Sequence, residues 1–253
     1  MAEERIAPDA TTRFTGRAAV YSRYRPSYPR ALLDLLSSAA GFASSTRVAD
    51  MGSGTGILTR LFLENGNTVF AVEPNADMRA AAEESLSSFP GFHSVDGTAE
   101  HTSLPASHVE LITAGQSFHW FSPSAAKKEF GRISANGTVA VIYNARAKSR
   151  SGFMTDYESL IKKYGRNFSP VRTAEEDNLN IFFSSYRLFT IPNPKQLDLY
   201  GLTGRLLSAS YMPARGEKNH GEMLSSIRDV FERNQVGGKV TMEMTTEIYL
   251  GTI

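Results

Sequence analysis

From Val48 to Gly56 the chain reads VADMGSGTG, three glycines at alternate positions behind an acid. Apolar residues precede the run and a helical pattern, Ile57 to Glu64, follows it, so the segment reads as strand, glycine turn and helix start. Glycine lets backbone approach a ligand closely and take turns that other residues cannot make. A second acid, Glu73, stands 23 residues after Asp50, at the end of the next strand pattern, Thr68 to Val72. A carboxylate in that place can accept both hydroxyl hydrogens of a ribose. Together the two features imply a nucleoside-containing cofactor at the carboxyl ends of adjacent strands.

The spacing narrows the cofactor. A phosphate loop needs GxxxxGK[ST], and no lysine follows these glycines. The dinucleotide fingerprint needs a third glycine where Ile57 stands. Asp50 would repel a pyrophosphate and attract an ammonium. S-adenosylmethionine offers an amino-acid ammonium, a ribose diol and an adenine, and each has a candidate partner in this stretch.

VADMGSGTG, the strand TVFAVEP that ends at Glu73, and DGTAEHTSLP at 96–105 resemble the class I S-adenosylmethionine-dependent methyltransferases. The resemblance covers residues 47–143. It implies that Asp50 orients the methionine end and that Gly52, Ser53, Gly54 and Gly56 form the floor. It also implies that Glu73 binds the ribose, that Pro74 and Met78 pack near the adenine, and that Thr98, Ala99 and Glu100 flank the adenine edge. A narrower resemblance lies in RYRPSYP at 23–29, GQSFHWF at 115–121 and YGLTGRLLSASYMP at 200–213. These resemble the small-molecule branch that includes the trans-aconitate methyltransferases.

In an open α/β sheet the reactive centre lies beyond the carboxyl ends of the strands, so the segment after the fourth strand borders it. Here that segment is Gly115 to Phe121 and contains the chain's only tryptophan. Gln116, Phe118 and Trp120 are candidate cofactor contacts, since aromatic faces hold a sulfonium by cation–π attraction. Phe118 and Trp120 would otherwise cap the core. His119 is a general base, a cofactor contact or a packing residue. The (N/D)PP(Y/F/W) tetrad of many base-modifying methyltransferases is absent.

Residues 13–30 carry Arg13, Arg17, Arg23, Arg25 and Arg30 between Tyr21, Tyr24 and Tyr28. Composition alone makes this a solvated basic arm. The resemblance makes it a lid, with Tyr21 at the cofactor and with Tyr24 and Arg25 at the reacting end, where an arginine grips a substrate carboxylate bidentately. Arg205, Ser208 and Tyr211 are further candidates from the late segment. RAKSR at 146–150 and KKYGR at 162–166 are surface charge or, in the competing reading, a nucleic-acid patch.

The elements that must position these groups follow from pattern. Strands (47–51, 68–72, 92–95, 109–114, 138–143) alternate with helices (57–64, 75–88, 123–133), which indicates a parallel sheet with right-handed crossovers. A helix over 31–40 precedes them. A helix at 153–164, a loop over 165–182 and a proline-interrupted edge strand at 186–197 follow, then helices at 199–208 and 221–234 and a last strand at 239–250. The expected fold is α/β: a Rossmann-like, seven-stranded methyltransferase sheet, mostly parallel with an antiparallel last strand and helices on both faces. Residues 1–40 would form an arm and lid helix. Residues 41–253 would form the methyltransferase domain, with a substrate-capping insertion at about 146–185.

The chain has 253 residues, 27 Lys plus Arg against 26 Asp plus Glu, and no cysteine. That balance gives no whole-protein positive field for wrapping nucleic acid and rules out disulfides, thiolate metal sites and thiol nucleophiles. Its five histidines are scattered, so no metal is expected. Met1 to Thr12 has no apolar core of a signal peptide and no run is long enough to span a membrane, which favours a cytoplasmic protein. The sum is a S-adenosylmethionine-dependent methyltransferase of a small, anionic molecule, O-methylating a carboxylate or hydroxyl by in-line transfer, as a monomer or weak homodimer. RNA or protein methylation, or cofactor binding without catalysis, are the alternatives.

Overall fold

The computed structural model describes residues 25–146, 152–166, 172–209 and 211–253. Tyr21, Tyr24 and the arginines before Arg25 lie outside the described residues. Seven strands form the main sheet, in the order β3-β2-β1-β4-β5-β9-β6. These are β1 (Val48–Met51), β2 (Val69–Val72), β3 (Phe92–Val95), β4 (Leu111–Gly115), β5 (Thr138–Arg146), β6 (Ser185–Pro192) and β9 (Met244–Thr252). The first five pair in parallel, while β9 runs antiparallel to both β5 and β6. This is the expected Rossmann-like sheet with its antiparallel last strand.

Parallel neighbours need crossovers, and helices supply them: α1 (Ala31–Ala40), α2 (Ile57–Glu64), α3 (Ala76–Leu86) and α4 (Pro123–Ile133). Local signals set their ends. Gly41 (φ 66°) closes α1, with the Phe42 amide returning to the Leu36 carbonyl. Asn75 caps α3 by accepting the Met78 amide at 3.0 Å. The central strand β1 is buried on both faces, so its residues divide between two cores. Val48 packs with Leu32, Leu36 and Phe62 on one side; Ala49 and Met51 pack with Phe118 and Phe130 on the other.

A third apolar cluster lies apart from the sheet. It joins α5 (Gly152–Tyr164), α7 (Leu199–Leu207), α8 (His220–Asn234) and β8 (Val240–Met242), which pairs with β7 (Lys195–Leu197). This cap differs from the expected insertion at about 146–185. It is discontinuous, because residues 172–192 return to the main sheet. There α6 (Arg172–Phe182) replaces the expected loop. Leu179, Phe182 and Phe183 of this return join the Phe118 core, with the Phe182 ring 5.0 Å from Phe118 and 5.4 Å from Phe130. The helix is hidden in the sequence because its first half is polar and its apolar residues cluster at the end. The interrupted strand at 186–197 is two strands: β6 forms the sheet edge, and the Asn193 amide between the prolines donates to Met244 O at 2.8 Å. The last strand likewise divides between Met242 and Met244.

Candidate functional site

Register brings the two acids together. Asp50 pairs with Ala71 on one side and Thr113 on the other, and Glu73 follows directly on β2. Beyond β1 the chain turns, and the amides of Gly52 and Ser53 both donate to Val72 O (2.9 and 3.1 Å). The turn needs glycine at Gly52 for two reasons. Its φ is +64°, and a Cβ there would stand 2.7 Å from the Ser117 Cβ. Ser117 in turn donates to Met51 O at 2.6 Å, tying the loop after β4 to the glycine turn.

Asp50 is buried. Its Oδ2 accepts the Thr59 hydroxyl at 2.7 Å and its Oδ1 accepts that of Thr113 at 3.0 Å. Burial pushes its carboxyl up to about 6 against the pull of those two hydroxyls, and neighbouring Glu73 adds to the rise. Glu73 Oε2 accepts the Gly54 amide and Oε1 the Asn75 amide, each at 2.8 Å. Its pKa is also raised, again chiefly by burial. Two desolvated carboxylates side by side favour a ligand that brings positive charge or hydroxyl donors.

These groups open onto a cavity of about 430 Å³ at the carboxyl ends of β1, β2 and β4. That size is within the range of small-molecule and cofactor sites. Asp50, Gly52, Ser53, Gly54, Glu73, Pro74, Met78, Thr98, Ala99, Glu100, Gln116, Trp120 and Arg25 all border it. Thr98 and Glu100 are held by the fold: Thr98 exchanges backbone hydrogen bonds with His101, and Glu100 Oε1 accepts the Ser122 amide at 2.9 Å. Gln116 adopts φ 59°, unusual for a residue with a side chain, and its Nε2 donates to Asn144 O at 3.1 Å.

Three expected site residues stand elsewhere. Gly56 is not on the cavity wall. It is the left-handed N-cap of α2, and a Cβ there would meet Leu86 Cδ1 at 2.5 Å, so its role is helix packing. Phe118 is fully buried in the core against Phe121 and Phe182. His119 does not border the cavity; its ring lies 4.7 Å from Trp120 and 6.3 Å from Tyr143. All three follow from the short 3₁₀ turn Phe118–Trp120 or the α2 cap, geometries that strand-and-loop patterning does not specify.

Other wall residues are not among the expected contacts: Tyr28 of RYRPSYP, Ser117 and Phe121 of GQSFHWF, and Asn144, which lies in no motif. Asn144 anchors the arm's end, since its Nδ2 reaches Pro26 O at 3.4 Å while its Oδ1 accepts from Thr246 and Asn193. Asn193 also donates to Ser27 O at 3.0 Å, and Arg25 donates to Ser208 O at 3.2 Å. Residues 25–28 are thereby fastened between sheet and cap, with Arg25, Pro26 and Tyr28 on the cavity wall. Arg205 borders the cavity from the cap side, whereas Ser208 and Tyr211 do not.

Among the described residues, no group of three or more His, Asp and Glu could hold a metal ion, and no helix is long and apolar enough to cross a membrane.

Comparison with known proteins finds similar sequences and a similar fold. Residues 49–142 match the methyltransferase domain family model. An uncharacterized methyltransferase of Mycobacterium tuberculosis is 33% identical over 165 residues, covering 65% of this chain and 63% of that one. The chain thus spans somewhat under two thirds of that relative's length. A Schizosaccharomyces pombe methyltransferase, also uncharacterized, is 25% identical over 249 residues, covering 91% of this chain and 93% of its own. The solved structure of a type II methyltransferase from Anaeromyxobacter dehalogenans superposes with a TM-score of 0.71 at 20% identity, over 90% of this chain and 98% of that one. Residues 49–142 are thus similar to a methyltransferase domain, and the seven-stranded sheet that carries them shares the Rossmann-like fold of the Anaeromyxobacter structure.

Proposed function

We propose that the protein is a S-adenosylmethionine-dependent methyltransferase that O-methylates a small anionic molecule. The observation that carries this is the pair of buried acids, Asp50 and Glu73, flanking a left-handed glycine turn at the floor of the cavity. The residues suit the cofactor's parts. Both Glu73 oxygens retain lone pairs for a diol after accepting one amide each, and Asp50 gains from a cation because burial holds its pKa high. Pro74, Met78 and Ala99 offer an apolar slot for a base. When bound, S-adenosylmethionine supplies an electrophilic sulfonium methyl for in-line transfer to a nucleophile.

The chain's own task is then alignment and exclusion of water. Trp120, Phe121, Tyr28 and Arg25 wall the cavity. With His119 off the wall, no imidazole faces the acceptor end. This favours a carboxylate acceptor, ionised at neutral pH and needing no base, over an alcohol or phenol. The small-molecule resemblance of RYRPSYP and GQSFHWF supports the same reading. The test has two parts. Calorimetry is expected to show binding of S-adenosylmethionine and S-adenosylhomocysteine. A screen of carboxylic acids and phenols, read by released S-adenosylhomocysteine, is expected to find its acceptor among the acids. Failure to bind either cofactor form overturns the reading.

A further inference from the structure

The main cavity does not end at the cap. A second cavity of about 340 Å³ adjoins it, and both are bordered by Arg25, Pro26 and Arg205. The two arginines therefore stand at the junction. Beyond them the second cavity has a floor of Leu197 and the buried Met242 and Met244, with Tyr200 and the polar Lys195, Gln196 and Asp198 around it. Tyr200 is 61% exposed and marks the outer end.

Arg205 is the unusual group. Its Nε and Nη1 are buried and have no hydrogen-bond partner among the described residues, although the rest of the residue is partly open to the cavities. Among the described residues, the groups that act on it electrostatically are Tyr157, Tyr211, Arg25 and Arg146, with no acid among them. Burial, together with Arg25 and Arg146, lowers its pKa. Lys195, also on the second cavity, is lowered by burial and by Arg205. Among the described residues the one acid on that wall is Asp198, occupied in capping α7, where it accepts the Gly201 amide at 2.7 Å. A buried guanidinium left with unmet donors is costly, and an anion that satisfies its planar fork removes the cost.

We propose that the second cavity is an acceptor subsite. An anionic group, carboxylate or phosphate, sits at the junction against Arg205 and Arg25, and an apolar chain attached to it extends over Leu197, Met242 and Met244 toward Tyr200. The acceptor is then an elongated amphipathic acid rather than a compact polar one. This rests on the methyltransferase reading, because the junction borders the cavity assigned there to the cofactor.

The test uses the full-length protein saturated with S-adenosylhomocysteine and measures its affinity for octanoate, octyl phosphate, octanol and butyrate. One of the two octyl anions is expected to bind at least tenfold tighter than octanol, and the better of the two identifies the anion. Octanoate is expected to exceed butyrate at least threefold. Arg205→Met should abolish the preference for charge. It should keep S-adenosylhomocysteine affinity within twofold and the melting temperature at or above that of the parent, since it removes a buried uncompensated charge. Arg205→Lys should restore part of the preference, and Leu197→Asp should erase the advantage of octanoate over butyrate. Affinity for octanol equal to that for the better of the two octyl anions, or a charge preference that survives in Arg205→Met, overturns the proposal. So does charge preference without chain-length dependence. Absence of S-adenosylhomocysteine binding overturns the cofactor reading instead, so the two failures are distinguishable.

Discussion

At the glycine end of the cavity every buried carboxylate oxygen has a donor supplied by the fold: Thr113 and Thr59 for Asp50, and the Asn75 and Gly54 amides for Glu73. At the cap end Arg205 has buried nitrogens with no such partner. The difference separates two kinds of site. The acids are pre-organised, each held in one orientation by rigid strands before any ligand arrives. The guanidinium is positioned but unsatisfied, and its hydrogen bonds await the ligand. A cofactor common to many enzymes suits the first arrangement, and an acceptor particular to one enzyme suits the second.

The largest expected effect comes from removing a pre-organised acid. Glu73→Ala deletes two hydrogen bonds to a charged acceptor, worth about 1.5–3 kcal/mol each, so S-adenosylhomocysteine affinity should fall a hundredfold or more. A loss below threefold by calorimetry would break the pre-organised picture. Because Asp50 titrates near 6, its charge is present at pH 7 and mostly absent at pH 5. Cofactor affinity should therefore weaken about tenfold over that interval, with proton release on binding, and Asp50→Asn should flatten the profile. The stability of the ligand-free protein carries the opposite sign. Asp50 is raised on folding, so the folded state holds its proton longer, and this group's contribution falls as pH rises from about 4 through about 6. The loss is on the order of 3 kcal/mol at about 1.4 kcal/mol per pKa unit. Melting curves across that window check it, with Asp50→Asn as the control.

Much of the glycine end is readable from sequence because its determinants are local. A strand, alternating glycines and a helix start specify a left-handed turn, and an acid one strand later marks the position proposed for the ribose. Its fine structure is not local. Thr113 is 63 residues from Asp50, and nothing in the pattern joins them. Gly56 looks like its two neighbours in the motif, yet it is glycine because of Leu86, a contact made only after α3 packs. The cap is less legible still. Its core draws on residues 153 to 244 with the α6–β6 return between, so no continuous stretch announces it. Arg25 meets Ser208 across 183 residues. The resemblance of the arm and of the late segment marks both arginines as candidates; only the fold brings them to one junction.

The glycines give a finer contrast within the pre-organised end. Gly52→Ala combines a positive φ with a 2.7 Å clash against the Ser117 Cβ, whereas a Cβ on Gly54 (φ +58°) meets nothing within 4 Å. Gly54→Ala should cost only the conformational term, about 1 kcal/mol, and Gly52→Ala should cost about 2–3 kcal/mol because backbone or the β4 loop must shift as well. Urea denaturation ranks the two. Equal losses would mean that the Ser117 contact yields freely and that the turn is softer than its hydrogen bonds indicate.

The smallest expected effect concerns His119, and it bears directly on which end of the cavity does the chemistry. If catalysis is alignment of an already ionised acceptor, a histidine packed against Trp120 and Tyr143 and absent from the wall contributes only through packing. His119→Gln should then change kcat on the acceptor found by the acid and phenol screen by less than threefold, with no change in the shape of its pH–rate profile between pH 6 and 8. A general base of ordinary strength would behave differently, because its loss typically costs 10²–10⁴-fold and removes the rising limb of the profile. A drop of that size would move the reacting group from a carboxylate to a hydroxyl. It would also require the 3₁₀ turn Phe118–Trp120 to rotate toward the cavity when ligand binds. Tryptophan fluorescence, reporting on Trp120 alone, would detect that rotation as a shift on adding acceptor to the S-adenosylhomocysteine complex.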